Sequence, residues 1–145
     1  MARLRVVIGD ASRPMLVFME LLLEPHFEIV ASVTDGEALL LAAQSTKPEL
    51  IILDFSLLFL DGLAVAKRLR IELPRAKIVF FTTHEDPVYA EAAFAVGASG
   101  YLVKQRTDDL LHFLIRIVNG ELIQHPERME RPESAPGNQC LSPSR

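Results

Sequence analysis

Several things are scarce in this chain. It has one cysteine, Cys140, in 145 residues. That excludes a disulfide framework and points to a reducing, cytoplasmic setting. No apolar run approaches the roughly 18–20 residues of a membrane span, and the most apolar late stretch, LLHFLIRIV, is broken by Arg116. Positive charge is not in excess: the formal net charge is −4, which argues against direct nucleic-acid binding by this chain alone. The opening MARLRVVIGDAS is basic but turns acidic too early for a signal peptide. There is no internal repeat. His26, His112 and His125 lack metal-ligand spacing and read as structural or exposed. No Gly-rich or Ser/Thr-rich phosphate loop follows the first apolar run, which speaks against flavin binding.

What is present is a hydrophobic half, at 50% of residues, with 23% charged. This suits one globular domain with a core of ordinary size. The pattern along it alternates. LRVVIG (4–9), FEIVASV (27–33), ELIILD (49–54), AKIVFFT (76–82) and GYLVK (100–104) read as strands. Ser12, Asp35, Asp61 and Asp86-Pro87 are start signals for the helices between them, and Lys47-Pro48, Pro74 and Gly97 are stops. Thr107, followed by Asp108 and Asp109, opens a last helix that ends at Asn119-Gly120. The strands are apolar throughout rather than alternating, as expected when helices cover both faces of a parallel sheet. The fold predicted is an α/β, doubly wound, five-stranded parallel sheet over about 4–120. Residues 121–145 hold four of the nine prolines and no apolar periodicity, and read as a flexible tail or a truncated linker.

In such a sheet, polar residues at the carboxyl ends of the strands gather in one crevice. Here the first strand delivers Asp10, the third Asp54, the fourth Thr82 and Thr83, and the fifth Lys104. Two carboxylates can share a hard cation such as Mg²⁺. A hydroxyl and an ammonium are donors suited to a phosphoryl group, and a carboxylate can accept such a group covalently. The set suits reversible aspartyl phosphorylation.

The strand ELIILD ending in Asp54, Asp61-Gly62, FFTT at 80–83 and GASGYLVK at 97–104 together resemble the receiver domain of bacterial two-component response regulators. The GASGYLVK wording is most similar to receivers of LuxR/NarL-type helix-turn-helix transcription regulators. The resemblance covers about 4–120, so the domain expected is a receiver over 1–120. It implies a flavodoxin-like, CheY-like (βα)5 fold with strand order 2-1-3-4-5. It implies that Asp54 accepts a phosphoryl group from a sensor histidine kinase. It implies a Mg²⁺ held by Asp10, Asp54 and the main-chain carbonyl of Ser56, with Lys104 pairing with the phosphoryl group. Thr82 and Tyr101 are then the switch residues. The module is a phospho-acceptor rather than an enzyme proper, working through an output domain outside this chain, and a homodimer is a candidate assembly.

The chain also departs from that pattern. Where two adjacent acids are usual, it has Gly9-Asp10, and the spacing to Leu21-Leu22 makes Gly9 the lost partner. Gln105 stands where a proline often follows the lysine. Leu58-Phe59 replaces Pro-Gly. Either Leu57 and Leu60 tuck under the loop while the others pack on the next helix, or Leu58 and Phe59 form an exposed partner patch beside the crevice. Gly9 favours an alternative function, a pseudo-receiver binding partners without phosphorylation. A phosphatase of the haloacid-dehalogenase type would want an acid two residues after Asp54, where this chain has Ser56.

Overall fold

A computed structural model describes residues 3–125. Its elements alternate as the sequence pattern requires: β1 (Arg5–Gly9), α1 (Arg13–Leu23), β2 (Glu28–Val33), α2 (Gly36–Thr46), β3 (Leu50–Leu53), α3 (Gly62–Glu72), β4 (Lys77–Thr82), α4 (Pro87–Ala95), β5 (Gly100–Val103), α5 (Leu110–Val118) and β6 (Ile123–His125). The sheet is parallel, in the order β2-β1-β3-β4-β5-β6.

Local chemistry fixes where the helices begin. Ser12, Asp35, Asp61 and Asp86 each accept a hydrogen bond from a backbone N–H of the first turn, satisfying donors that the helix itself leaves unpaired. Pro14 and Pro87 sit in first turns, where their missing N–H costs nothing. The central strands then sort their side chains by alternation. Val7, Ile51, Leu53, Ile78, Phe80, Tyr101 and Val103 pack with Leu39, Val65, Leu69 and Ala93 of α2, α3 and α4. Val6, Ile8, Leu50, Ile52, Val79, Phe81 and Leu102 pack with Leu16, Met19, Leu114 and Ile117 of α1 and α5. Both faces are therefore covered, which is why the strands carry no polar stripe. Each such leucine, isoleucine or phenylalanine contributes about 1.5–3 kcal/mol by leaving water.

Two expectations need correction. Among the described residues the sheet holds the five expected strands in the expected order and adds a sixth, which lies where the sequence suggested a tail from residue 121. Glu121 N–H bonds back to the Arg116 carbonyl, and Gly120 adopts φ 107, so the chain reverses after α5. Ile123 is then buried at the edge of β5, its N–H on the Ser99 carbonyl at 3.1 Å. Three residues are too few for a readable period, so this strand was not legible in advance. The second correction concerns the last helix. Its α-helical part starts at Leu110, after a 3₁₀ segment over Lys104–Asp109, rather than at Thr107. The remainder of the expected tail or linker, 126–145 with Cys140, lies outside the described residues.

Candidate functional site

The crevice forms because β1 and β3 are neighbours and end level: Gly9 pairs with Leu53, so Asp10 and Asp54 leave the sheet side by side. The Asp54 N–H bonds to the Gly9 carbonyl at 3.2 Å, and the Asp10 N–H to the Val33 carbonyl at 3.0 Å. Both acids are buried, 3% and 5% exposed. Each carboxylate also receives a backbone N–H from two residues on: Asp10 Oδ1 from Ser12 at 2.9 Å, Asp54 Oδ1 from Ser56 at 3.3 Å. The chain after each strand thus folds back over its own carboxylate.

Lys104, following β5, joins them. Its Nζ stands 2.6 Å from Asp10 Oδ2 and 2.7 Å from Asp54 Oδ2. Burial by itself would lower the lysine's affinity for its proton. Hydrogen bonds to Asp10 and Asp54, and their negative charge, outweigh it and hold the ammonium above the ordinary lysine range. Two buried carboxylates and a largely covered ammonium persist together only when each is paired.

Thr82 ends β4 fully buried, and its hydroxyl accepts from the His84 N–H at 3.4 Å. Tyr101 is 2% exposed and its hydroxyl donates to the His84 carbonyl. The main chain of His84 therefore touches both expected switch residues. Burial, and then the negative charge of Asp54, push the Tyr101 phenol far above its usual range. Sequence reasoning missed the rings around it. Phe55 stacks on Phe80 at 4.5 Å and meets Tyr89 edge-on at 5.3 Å and Tyr101 at 6.2 Å. His84 stacks on Tyr89 at 4.2 Å. The available signal was position: Phe55 directly follows Asp54, and Tyr89 lies in the first turn after Asp86-Pro87.

The oily Leu57–Leu60 loop divides: Leu57 and Leu60 tuck under it as expected, but Leu58 and Phe59 do not pack on the next helix. Leu57 is buried in the core shared with Leu39 and Val65, and Leu60 is half-buried against it. Leu58 and Phe59 are 46% and 89% exposed. Phe59 holds φ 69, a left-handed backbone that side chains with a Cβ rarely take. Asp61 caps α3, with Oδ1 on the Ala64 N–H at 3.0 Å, as expected from its place before Gly62.

As a cation site, the crevice offers the carboxylates of Asp10 and Asp54, hard oxygen donors of the type Mg²⁺ takes, while Ser56 meets Asp54 through its N–H. No group of three or more His, Cys, Asp or Glu side chains with metal-holding geometry occurs among the described residues. The donor chemistry fits the ion, with one acid fewer than the family resemblance implies.

Over residues 6–116 the sequence matches the family of response regulator receiver domains. The chain belongs to that family. Among similar proteins, the transcriptional regulatory protein DegU of Brevibacillus brevis is 31% identical over 108 residues, 74% of this chain and 46% of that protein. A homologue of the nitrate/nitrite response regulator protein in Haemophilus influenzae is 37% identical over 102 residues, 70% of this chain and 49% of that protein. This receiver domain thus spans about half the length of these curated relatives. A LuxR-family two-component response regulator from Aurantimonas sp. superposes with a TM-score of 0.81 at 25% identity, covering 86% of this chain and 91% of that one. The receiver fold and the kinship with transcription-regulator receivers therefore agree with the residues that first suggested them. Among the described residues, no helix is long and apolar enough to cross a membrane.

Proposed function

We propose that this receiver is a phospho-acceptor and that Asp54 carries the phosphoryl group. The observation that supports it most is the Lys104 ammonium, 2.6 and 2.7 Å from carboxylate oxygens of Asp10 and Asp54 at the mouth of the sheet. A carboxylate oxygen of Asp54 attacks phosphorus as the donor's P–N bond, on a sensor kinase phosphohistidine, breaks. The product is an acyl phosphate. Lys104, already over the carboxylate, pairs with the arriving phosphoryl oxygens, and the Thr82 hydroxyl is the further donor. Asp10, Asp54 and the Ser56 carbonyl would hold Mg²⁺, which when bound neutralises phosphoryl charge. Turning the Thr82 hydroxyl toward the phosphoryl group gives up its bond from His84, the same residue whose carbonyl anchors Tyr101. That shared anchor is how phosphorylation biases the α4–β5–α5 surface.

The relatives carry names of transcriptional regulators, so an output domain outside this chain, acting on transcription, completes the proposal. With it go a sensor histidine kinase as partner, a cytoplasmic location and a homodimer. Leu58 and Phe59 are the candidate patch for a partner. The decisive experiment is incubation with acetyl phosphate and Mg²⁺ followed by intact mass. A gain of one phosphoryl group, lost with EDTA and in Asp54→Asn, is expected. An unlabelled wild-type chain, beside a labelled standard receiver, would count against it.

Gly9 favours a second reading, a pseudo-receiver that engages partners without being phosphorylated. Titration with Mg²⁺ and beryllofluoride, followed by NMR, separates the two. A pseudo-receiver leaves the amides around Asp54 and Thr82 unmoved.

A further inference from the structure

The two departures from the family pattern, Gly9 and the oily loop, meet in space. Gly9 is held on both sides by β1's neighbours: it pairs with Val33 and Leu53, and its carbonyl accepts the Asp54 N–H. The backbone there cannot retreat. A Cβ at position 9 would overlap the Leu39 Cδ1 methyl, with Leu57 Cδ2 at 3.5 Å and Leu39 Cγ at 3.6 Å, so that methyl would have to turn aside within the core. Leu39 is fully buried in the core that holds Val7, Ile51 and Leu57. Nor can α2 carry it away. The start of α2 is seated on the loop so closely that a Cβ at Gly36 would collide with the Leu60 carbonyl and stand 2.7 Å from Leu60 Cβ. The Leu58 N–H bonds to the Thr34 carbonyl at 3.1 Å, and the Gly36 N–H to the Leu58 carbonyl at 3.0 Å. The oily loop thus clamps α2, and α2 presses Leu39 against Gly9.

We propose that Leu39, clamped by the Leu57–Leu60 loop, keeps position 9 without a side chain and so holds the affinity of the crevice for a divalent cation below that of a site with two adjacent acids. The loss of the second acid is then built into the packing and is not reversed by one substitution. This rests on reading Asp10 and Asp54 as the cation site. Leu39 acts through position 9 and touches no ligand itself. In charge terms, Asp10, Asp54 and Lys104 sum to −1, where a second acid would give −2 and draw a divalent ion more strongly.

The test uses the full chain, with Gly9→Ala and Gly9→Asp each made in the wild type and with Leu39→Ala. Thermal unfolding without metal reads the packing, and calorimetric titration with Mg²⁺ alone reads the site. Gly9→Ala is expected to lower the melting temperature by about 5 °C, as overpacking does, and to cost nothing further once Leu39 is trimmed. Gly9→Asp alone should bind Mg²⁺ no more tightly than the wild type. Gly9→Asp with Leu39→Ala should bind about tenfold or more tightly than Leu39→Ala, the scale of an outer-shell partner regained. If Leu39→Ala does not fold, Leu39→Val replaces it throughout. A Gly9→Ala protein as stable as the wild type, a tenfold gain from Gly9→Asp alone, or Mg²⁺ affinity unchanged across all variants would overturn the proposal. The stability comparison needs neither metal nor phosphodonor. An unlabelled Asp54 would therefore leave it standing, and additive stabilities would leave the phospho-acceptor reading untouched.

Discussion

A lysine ammonium bound to two buried carboxylates is costly to disturb one partner at a time. Removing it as Lys104→Met leaves the buried carboxylates of Asp10 and Asp54 without the cation they share. The expected loss at neutral pH is about 3 kcal/mol. Urea unfolding of the two chains at neutral pH checks this, and an unchanged midpoint would contradict it. In the wild type the raised Lys104 affinity gives stability present through neutral pH and below. It is lost as pH climbs past the ordinary lysine range, about 10.4, and through the higher folded value. Tyr101 gives a second residue-scale prediction. The chain has two tyrosines, and Tyr89 is half-exposed while Tyr101 is buried with its phenol pushed up. An ultraviolet titration should show one tyrosine that ionises only as the fold is lost, and Tyr101→Phe should remove that step.

At the scale of elements, the starts of α1 to α4 were legible because each rests on one capping residue with one task. Ser12, Asp35, Asp61 and Asp86 are all N-caps, and each was readable from its own few neighbours. The acids and the lysine of the crevice were legible for a related reason. A charge directly after a buried apolar strand contrasts with every residue before it, and the sheet topology then says where it must emerge. Where the structure departed from expectation, the cause was tertiary. β6 exists because Ile123 finds the edge of β5 and a place against α5, which three residues of sequence do not announce. Phe55 and Tyr89 carried no signal of their own, because only the fold places Phe55 beside Tyr101 and Tyr89 against Phe55. The β6 strand yields its own prediction. Truncation after Gly120 should cost about 2 kcal/mol relative to truncation after His125, mostly from exposing Ile123. Equal urea midpoints and slopes for the two chains would show that β6 adds nothing.

At the scale of the molecule, the doubly wound order puts β1, β3 and β5 where three strand ends converge, and the chemistry follows from that convergence. Charge and composition narrowed the class of function, and four short motifs placed it in a family. Neither reached the coupling between the oily loop and Gly9, because that coupling runs through Leu39, an ordinary core residue in sequence. The central claim is that Asp54 becomes an acyl phosphate, and its most direct measurement is chemical trapping. The chain is treated with acetyl phosphate and Mg²⁺, reduced with borohydride, digested and sequenced by mass spectrometry. The prediction is homoserine at position 54, formed by reduction of the acyl phosphate, and aspartate at positions 10 and 61. Aspartate retained at position 54 under conditions that convert a standard receiver, or homoserine found at another position instead, would contradict it.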